Sequence, residues 1–505
     1  MARFVGLFEF LDLDRNSQRT LATQLFDGIR EAILDGTLLP GTDLPSTRKL
    51  AKQLNLSRNT VTAAYEQLCV EQYLVSVQGA GTKVADLPAL REVRPGKEVI
   101  DEPSLSRIRL SRRGESLSDS PRYLPQYKDR SFAAGLPALD LFPHQLWARY
   151  INRAARRSAI RRFDYGEIAG TLELKRSIAD HLATTRGFRP ETDQIVVLNG
   201  AQAALDLLAR VTTDIGDTAW IEEPGYLGAR GAFRGAGLTI RPIEVDSQGL
   251  HPPDDITPAP KLIYTSPSHQ CPTGVLLSLV RRLKLLDAAR RSGALIIEDD
   301  YDSEFRYAGP SISTLWSLDQ GRSVVYMGTF SKTMLPGIRI GYLVAPPQLC
   351  AAITNALHHT GQAASKVVQF ALAEFIDDGR FSEHVRQMKK AYLARRATFL
   401  REIERQIGGA VTYKPTSTGM QQTVYLNGDL SDVALSDAAR DKGVVAPTLS
   451  RFYIGRDKTN GLLLGFASSE EPEIRKGMEK LASAFDQITR SGQTTRSACT
   501  NGHND

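Results

Sequence analysis

The sequence has no long hydrophobic run. Nowhere in its 505 residues does an apolar stretch approach the roughly 18–20 residues that a membrane helix needs. The opening "MARFVGLFEFLDLDR" does not read as a secretory h-region, because acidic residues stand inside its apolar stretch. Both absences point to a cytoplasmic protein. Cysteine is scarce: Cys69, Cys271, Cys350 and Cys499 are scattered and form no C-x-x-C pair, which argues against a disulfide framework or a zinc site. Strong charge of one sign is absent as well. A net charge of +6 is mild, and in the first 85 residues acids, Asp27, Glu31, Asp35, Glu66 and Glu71 among them, nearly balance the bases. If that region binds DNA, placed side chains must do it rather than bulk charge. What remains is ordinary for a globular protein, 42% hydrophobic and 24% charged, and too long for one core.

Residues 17–36 repeat Leu21, Leu25, Ile29 and Ile33 at helical spacing, with Gly36 as a stop. After "LLPGTDLP", Ser46 is placed to cap a short helix, and Ser57 to cap a second one through "RNTVTAAYEQLCVEQ". "YLVSVQGAGTKVA" then reads as two strands joined around Gly79–Gly81. Helix, helix, turn, helix and glycine-tipped hairpin make a winged helix-turn-helix over residues 17–85. In that layout Arg58, Asn59, Thr60 and Thr62, behind Ser57, face base edges and phosphates. Arg48 would hold a phosphate, and Gln78, Gly79 and Lys83 sit around the wing. The blander reading is a helical bundle with solvated arginines. "LPSTRKLA", "SRNTVTAAYEQL" and "GAGTKV" closely resemble the DNA-binding domain of GntR-type repressors, which implies double-stranded operator DNA as a partner.

Residues 86–130 mix Pro, Ser, Arg and acids without periodicity and read as a linker, while 491–505 read as a disordered polar tail. Between them, over 131–490, strand-like runs ("QIVVLNG", "TAWIEE", "KLIYTS", "ALIIEDD", "SVVYMGT") alternate with helical stretches. This predicts an α/β domain with a mostly parallel sheet, ligands collecting at the carboxyl ends of its strands. Those ends carry what pyridoxal phosphate requires. Lys332 offers an amine and Asp299 a carboxylate for the pyridine nitrogen. Gly200, Ala201 and Gln202 open a helix suited to phosphate, and Tyr226 offers a flat ring. Thr329, Ser331 and Arg339 add phosphate-binding groups. Each feature alone is weak: a lone lysine is usually solvated, and an acid pair such as Asp299–Asp300 usually caps a loop. Their order along the chain is what stands out.

"FAAGLPALDLFPHQLW", "YGEIAGTLELKRSIADHL", "EEPGYLG", "TSPSHQCPTG", "IEDDYDSEF" and "GTFSKTMLPGIRIGYLV" resemble the fold type I aminotransferase domain of MocR-type regulators, with a smaller C-terminal subdomain from about 346. The resemblance implies pyridoxal 5'-phosphate carried on Lys332, Asp299 at its pyridine nitrogen and Tyr301 near its phenolic oxygen. It also implies that Tyr165 reaches the partner subunit's phosphate in a homodimer. No metal site is expected and no residue is assigned a catalytic role. Two positions depart from the enzyme pattern. Leu463 in "GLLLGFAS" stands where aminotransferases carry a carboxylate-gripping arginine, and Cys271 stands where they usually carry asparagine. The departures favour a DNA-binding regulator that senses a small amine over an enzyme. Sensing of pyridoxal phosphate itself, and an aminotransferase with an appended DNA-binding domain, remain open.

Overall fold

The computed structural model describes residues 8, 11–77, 81–86, 109–118, 131–156, 166–310 and 312–500, with side chains in the last helix described to 490. The chain divides into two compact units between Arg109 and Leu110.

In the first unit, the helix Leu21–Leu34 is capped by the Thr20 hydroxyl, which accepts from the Thr23 N–H at 3.2 Å. It buries Leu25, Phe26, Ile29 and Ile33 and ends before Gly36, whose φ of 84° a side chain would strain. The helices Thr47–Gln53 and Arg58–Val70 start at Ser46 and Ser57, as expected. Asn55, at φ 52°, turns the chain between them. Tyr65 crosses the core and donates to the Pro45 carbonyl at 3.0 Å, tying the third helix to the turn before the second. The wing has three strands rather than two. Leu74–Val77 (β2) and Gly81–Val84 (β3) form the expected hairpin, and Asp43–Leu44 (β1) pairs antiparallel with β3.

The second unit is built on an eight-stranded sheet. Its strands are Ile195–Leu198 (β4), Thr218–Glu223 (β5), Thr239–Asp246 (β6), Gly249–Leu250 (β7), Pro260–Thr265 (β8), Leu295–Asp300 (β9), Val324–Thr329 (β10) and Gly341–Val344 (β11). The order is β4-β11-β10-β9-β8-β5-β6-β7; β10 through β6 run parallel, while β11 is antiparallel to both β10 and β4. Alternation fills both faces. Ile195, Val197, Trp220 and Ile296 join one core, and Val196, Leu198, Ile221 and Ile297 join the other. A second sheet, Val411–Thr412 (β12), Gln421–Leu426 (β13) and Gly461–Gly465 (β14), packs with the helices Arg380–Ile407 and Glu471–Thr500 around a separate core.

Helix extends into two segments that composition alone describes. Within the expected linker, Arg112–Ser118 is a helix that packs on the helix Leu227–Ala236, because Leu117 lies against the bare backbone of Gly235. The last helix continues to Thr500, beyond the expected start of the tail at 491, since no proline interrupts its propagation. Among the described residues no helix is long and apolar enough to cross a membrane.

Candidate cofactor site and nucleic-acid interface

The alternation of β9 separates three consecutive acids. Glu298 and Asp300 point to one face, where they serve structure. Glu298 accepts from the Leu315 and Trp316 N–H groups at 2.8 and 2.9 Å; Asp300 accepts from Arg186 Nε and the Tyr326 hydroxyl, each at 2.6 Å. Asp299 points to the other face beside Tyr264, whose hydroxyl donates to its Oδ2 at 2.6 Å. Its Oδ1 is buried and has no hydrogen-bond partner among the described residues. Burial above all, with Asp300 and Glu222 adding to it against the Tyr264 bond, pushes the Asp299 carboxyl up to about 7. This oxygen has room for a hydrogen-bond donor from a ligand.

Lys332 follows β10. Its Nζ donates to the Gly135 carbonyl at 2.8 Å, and burial lowers its pKa against the attraction of Cys271, Asp302 and Asp299. A lysine biased toward the neutral amine is a nucleophile. At the end of β4, Gly200 adopts φ 87° and heads the helix Ala201–Thr212. The strand β11 presses on this turn: a Cβ on Gly341 would come within 2.9 Å of the Gly200 carbonyl carbon and 3.0 Å of the Ala201 nitrogen. A Cβ on Gly200 would lie 3.8 Å from Arg339 Cζ, so the guanidinium overlooks the helix start. Arg339 reaches it from a left-handed backbone at φ 50°. A helix N-terminus with an arginine beside it suits a phosphate. Thr329 and Ser331 lie at the same strand end, the Thr329 hydroxyl accepting from the Ser331 N–H at 3.2 Å. Gln202 is instead tied to the Gly228 carbonyl at 2.9 Å.

Tyr226 begins the helix Leu227–Ala236 and stacks on Tyr264, with ring centroids 6.1 Å apart. Tyr301 packs over His269 at 5.8 Å, its hydroxyl 3.2 Å from Nδ1, and that nitrogen lies 2.8 Å from Asp302 Oδ2. The structure thus brings Lys332, Asp299, Tyr226 and Tyr301 together with groups that the sequence reading missed. Tyr264 and Gly135 hold Asp299 and Lys332 from distant parts of the chain, and His269, itself paired with Asp302, meets Tyr301. Tyr165 lies outside the described residues. Cys271 and Leu463 both belong to an apolar cluster with Ala134, Leu227 and Phe452, against which Tyr226 and Tyr301 pack. A separate cavity of about 510 Å³, lined by Asp246, Thr273, Lys414, Thr416 and Tyr425 among others, shares none of the expected site residues.

In the first unit Arg48, Ser57, Arg58 and Asn59 are exposed, and Thr60 and Thr62 are half-buried. The Ser57 hydroxyl accepts from the Thr60 N–H at 3.1 Å and pairs with the Thr60 hydroxyl at 2.7 Å, so both side chains shape the helix start. Lys83 forms a 3.3 Å surface pair with Asp43. Gln78 and Gly79 lie outside the described residues.

Residues 21–84 match the family of bacterial regulatory proteins, gntR family, and residues 134–481 match aminotransferase class I and II. The chain is 38% identical to the probable rhizopine catabolism regulatory protein MocR of Rhizobium meliloti, over 95% of this chain and 97% of that protein. This decides the family. The chain belongs to the MocR-type branch of the GntR regulators. Other relatives of this regulator are the transcriptional regulator TauR of Rhodobacter capsulatus (34%; 93% and 97% covered) and the pyridoxine biosynthesis regulator PdxR of Corynebacterium glutamicum (30%; 94% and 97%). Its larger unit resembles the α-aminoadipate aminotransferase LysN of Thermus thermophilus, at 26% identity and a TM-score of 0.66 over 76% of this chain and 97% of that one. It is also similar to the kynurenine aminotransferase of Pyrococcus horikoshii, at 28% and 0.66 over 77% and 97%. The fold is therefore a GntR winged helix-turn-helix joined to a fold type I aminotransferase-like unit, and the protein is a DNA-binding regulator. This family implies a pyridoxal phosphate cofactor and a small-molecule ligand.

Proposed function

We propose that this MocR-type regulator carries pyridoxal phosphate on Lys332 and changes its hold on operator DNA when a small amine enters the site. The observation that carries the reading is the Asp299 Oδ1, which is buried within electrostatic reach of Lys332 and has no hydrogen-bond partner among the described residues. A protonated pyridine nitrogen supplies the donor it lacks. The helix start at Gly200 and Ala201, with Arg339, Thr329 and Ser331, would take the phosphate. Tyr226 would cover the ring and Tyr301 would approach its phenolic oxygen. Bound pyridoxal phosphate supplies an electrophilic carbonyl carbon that takes up amines. Lys332 would hold that group through its amine, and the buried Asp299 carboxylate would meet its pyridine nitrogen. On the first unit, Arg58 and Asn59 would read bases while Arg48 holds the backbone. In this reading the protein is a homodimeric, cytoplasmic sensor and not a working aminotransferase.

The test is to add pyridoxal phosphate to purified protein, reduce with borohydride and map the adduct, which is expected on Lys332. Recovery on another lysine overturns the assignment. Rapid multiple turnover of an amino acid without any change in DNA affinity would favour the enzyme. The name of the Corynebacterium relative favours a second reading, in which the cofactor itself is the effector. Adding cofactor to stripped protein with no amine present, and measuring DNA affinity, separates the two.

A further inference from the structure

His269 and Asp302 form a couple behind Tyr301, and both are deeply buried, at 3% and 1% exposure. The two carboxylate oxygens of Asp302 lie on the same imidazole nitrogen, Nδ1, at 2.9 and 2.8 Å. Among the described residues that nitrogen is the one side-chain donor the carboxylate has. A carboxylate taken out of water needs a donor, so Nδ1 carries a hydrogen whether the ring is neutral or charged. Burial works against the charge on Asp302, and the imidazole is the largest influence restoring it. Asp300 and Glu304, the acids nearby, are each tied to Arg186.

The ring is fixed as well as paired. Gly274 and Gly419 stand beside it in the left-handed region, at φ 75° and 85°. A Cβ on Gly274 would lie 3.1 Å from Nε2, and one on Gly419 would run into the ring itself. Both backbones are held: the Gly274 N–H donates to the Gln270 carbonyl at 2.7 Å, and the Gly419 N–H to the Phe305 carbonyl at 3.0 Å. Tyr301 stacks on the imidazole with planes 27° apart, its hydroxyl 3.2 Å from Nδ1. A nitrogen whose hydrogen points to Asp302 has no lone pair left to receive the tyrosine's proton. The Tyr301 hydroxyl therefore directs its own hydrogen away from the ring. Asp302 is also within electrostatic reach of Lys332, so the couple stands at the candidate cofactor site and not apart from it.

We propose that Asp302 locks the hydrogen of His269 on Nδ1, and that this lock keeps the Tyr301 hydroxyl turned toward the cofactor's phenolic oxygen. His269 and Asp302 are then positioning residues that act through Tyr301. The link from Tyr301 to the cofactor rests on the reading of Lys332 as the cofactor lysine; the hydrogen on Nδ1 does not. Asp302→Asn keeps the shape but supplies an amide that can donate. The ring can then carry its hydrogen on Nε2 and open the Nδ1 lone pair to Tyr301. The tyrosine would give its proton to the imidazole and withhold it from the cofactor.

The first test uses full-length protein without cofactor, with its histidines labelled by nitrogen-15. The imidazole signals of His269 are identified by their loss in His269→Gln. Nitrogen–proton correlation should find hydrogen on Nδ1 in the wild type and a shift of population to Nε2 in Asp302→Asn. An Nδ1 without hydrogen in the wild type overturns the lock and leaves the Lys332 reading standing. The second test loads the same proteins with pyridoxal phosphate and follows the visible band. Tyr301→Phe should move the band, Asp302→Asn should move it in the same direction, and the double variant should move it no further than Tyr301→Phe alone. Additive shifts, or a band that Tyr301→Phe leaves unmoved, overturn the path through the tyrosine. If Asp302→Asn does not fold, the wild-type nitrogen spectrum and the Tyr301→Phe band decide. A loaded wild type with no visible band overturns the Lys332 reading, and the link from Tyr301 to the cofactor with it.

Discussion

The two units keep their chemistry in opposite places. In the first, the side chains expected to meet DNA are exposed: Arg48, Arg58 and Asn59 project from helices whose cores are buried beneath them. In the second, Asp299 and Tyr264 are buried, Lys332 is half-buried, and burial shifts the titration of all three. The difference follows from the partners. A DNA backbone is a wide charged surface that long side chains meet from outside. A small cofactor needs a site without water, where one carboxylate and one amine are tuned by their surroundings. Damage to the first unit should therefore be graded, and damage to the second abrupt.

The largest expected effect lies in the second unit. Lys332→Ala should abolish borohydride fixation of pyridoxal phosphate altogether. Equilibrium dialysis should still detect reversible binding through Gly200, Ala201 and Arg339. Covalent capture that survives the substitution would remove the contrast between the units.

Next comes Arg58→Ala, expected to weaken operator binding by about 1–3 kcal/mol and to relax base preference where the arginine meets guanine. Arg48→Ala should weaken all sequences alike and flatten the salt dependence of binding, since a phosphate contact carries no sequence information. Fluorescence anisotropy with matched and scrambled duplexes checks both. Neither variant should alter cofactor uptake.

A pH effect sharpens the account of the buried site. The Asp299 carboxyl is raised to about 7 by burial, so its protonated form is the one the cofactor-free fold favours. The sign follows from linkage: this contribution is fully present below the ordinary carboxylate range and is lost as pH rises through about 7. Glu298 (about 7) and Glu222 (about 6) act in the same direction, whereas His384, lowered by burial to about 4, opposes them. Comparing Asp299→Asn with the wild type isolates the aspartate. Without cofactor, the Asn variant should gain in relative melting temperature between about pH 5 and pH 8. With cofactor bound the gain should vanish or reverse if, as proposed, the pyridine nitrogen pairs with the carboxylate. A melting difference that is flat with pH would show that Asp299 does not titrate in this range.

How far the sequence discloses all this depends on distance along the chain. Ser46 and Ser57 were legible because a cap acts over three residues, and the strand-end positions of Lys332, Asp299 and Gly200 because strands show as local apolar runs. Tyr264 supports Asp299 across 35 residues, and Gly135 receives Lys332 across 197, so neither has a local signature. The insertion of β11 between β4 and β10, which presses Gly341 onto the phosphate-suited turn, is likewise a matter of strand order. The helix Arg112–Ser118 has no local signature either, because its one apolar anchor, Leu117, finds its partner at Gly235.

The smallest expected effect tests whether the units fail separately. Ser57 caps the recognition helix by accepting from the Thr60 N–H, and its loss leaves that donor to water alone. Ser57→Ala should cost about 1 kcal/mol of stability. The cost should fall on the first unit, which has its own core of Leu25, Ile29, Leu50, Val61 and Leu68. All three tryptophans, Trp147, Trp220 and Trp316, belong to the second unit. In urea, loss of operator binding should therefore begin earlier in the variant than in the wild type, while the tryptophan fluorescence transition stays where it was. A fluorescence midpoint that moves by the same amount would mean that the two units unfold as one, and that the contrast in their chemistry is not matched by independent stability.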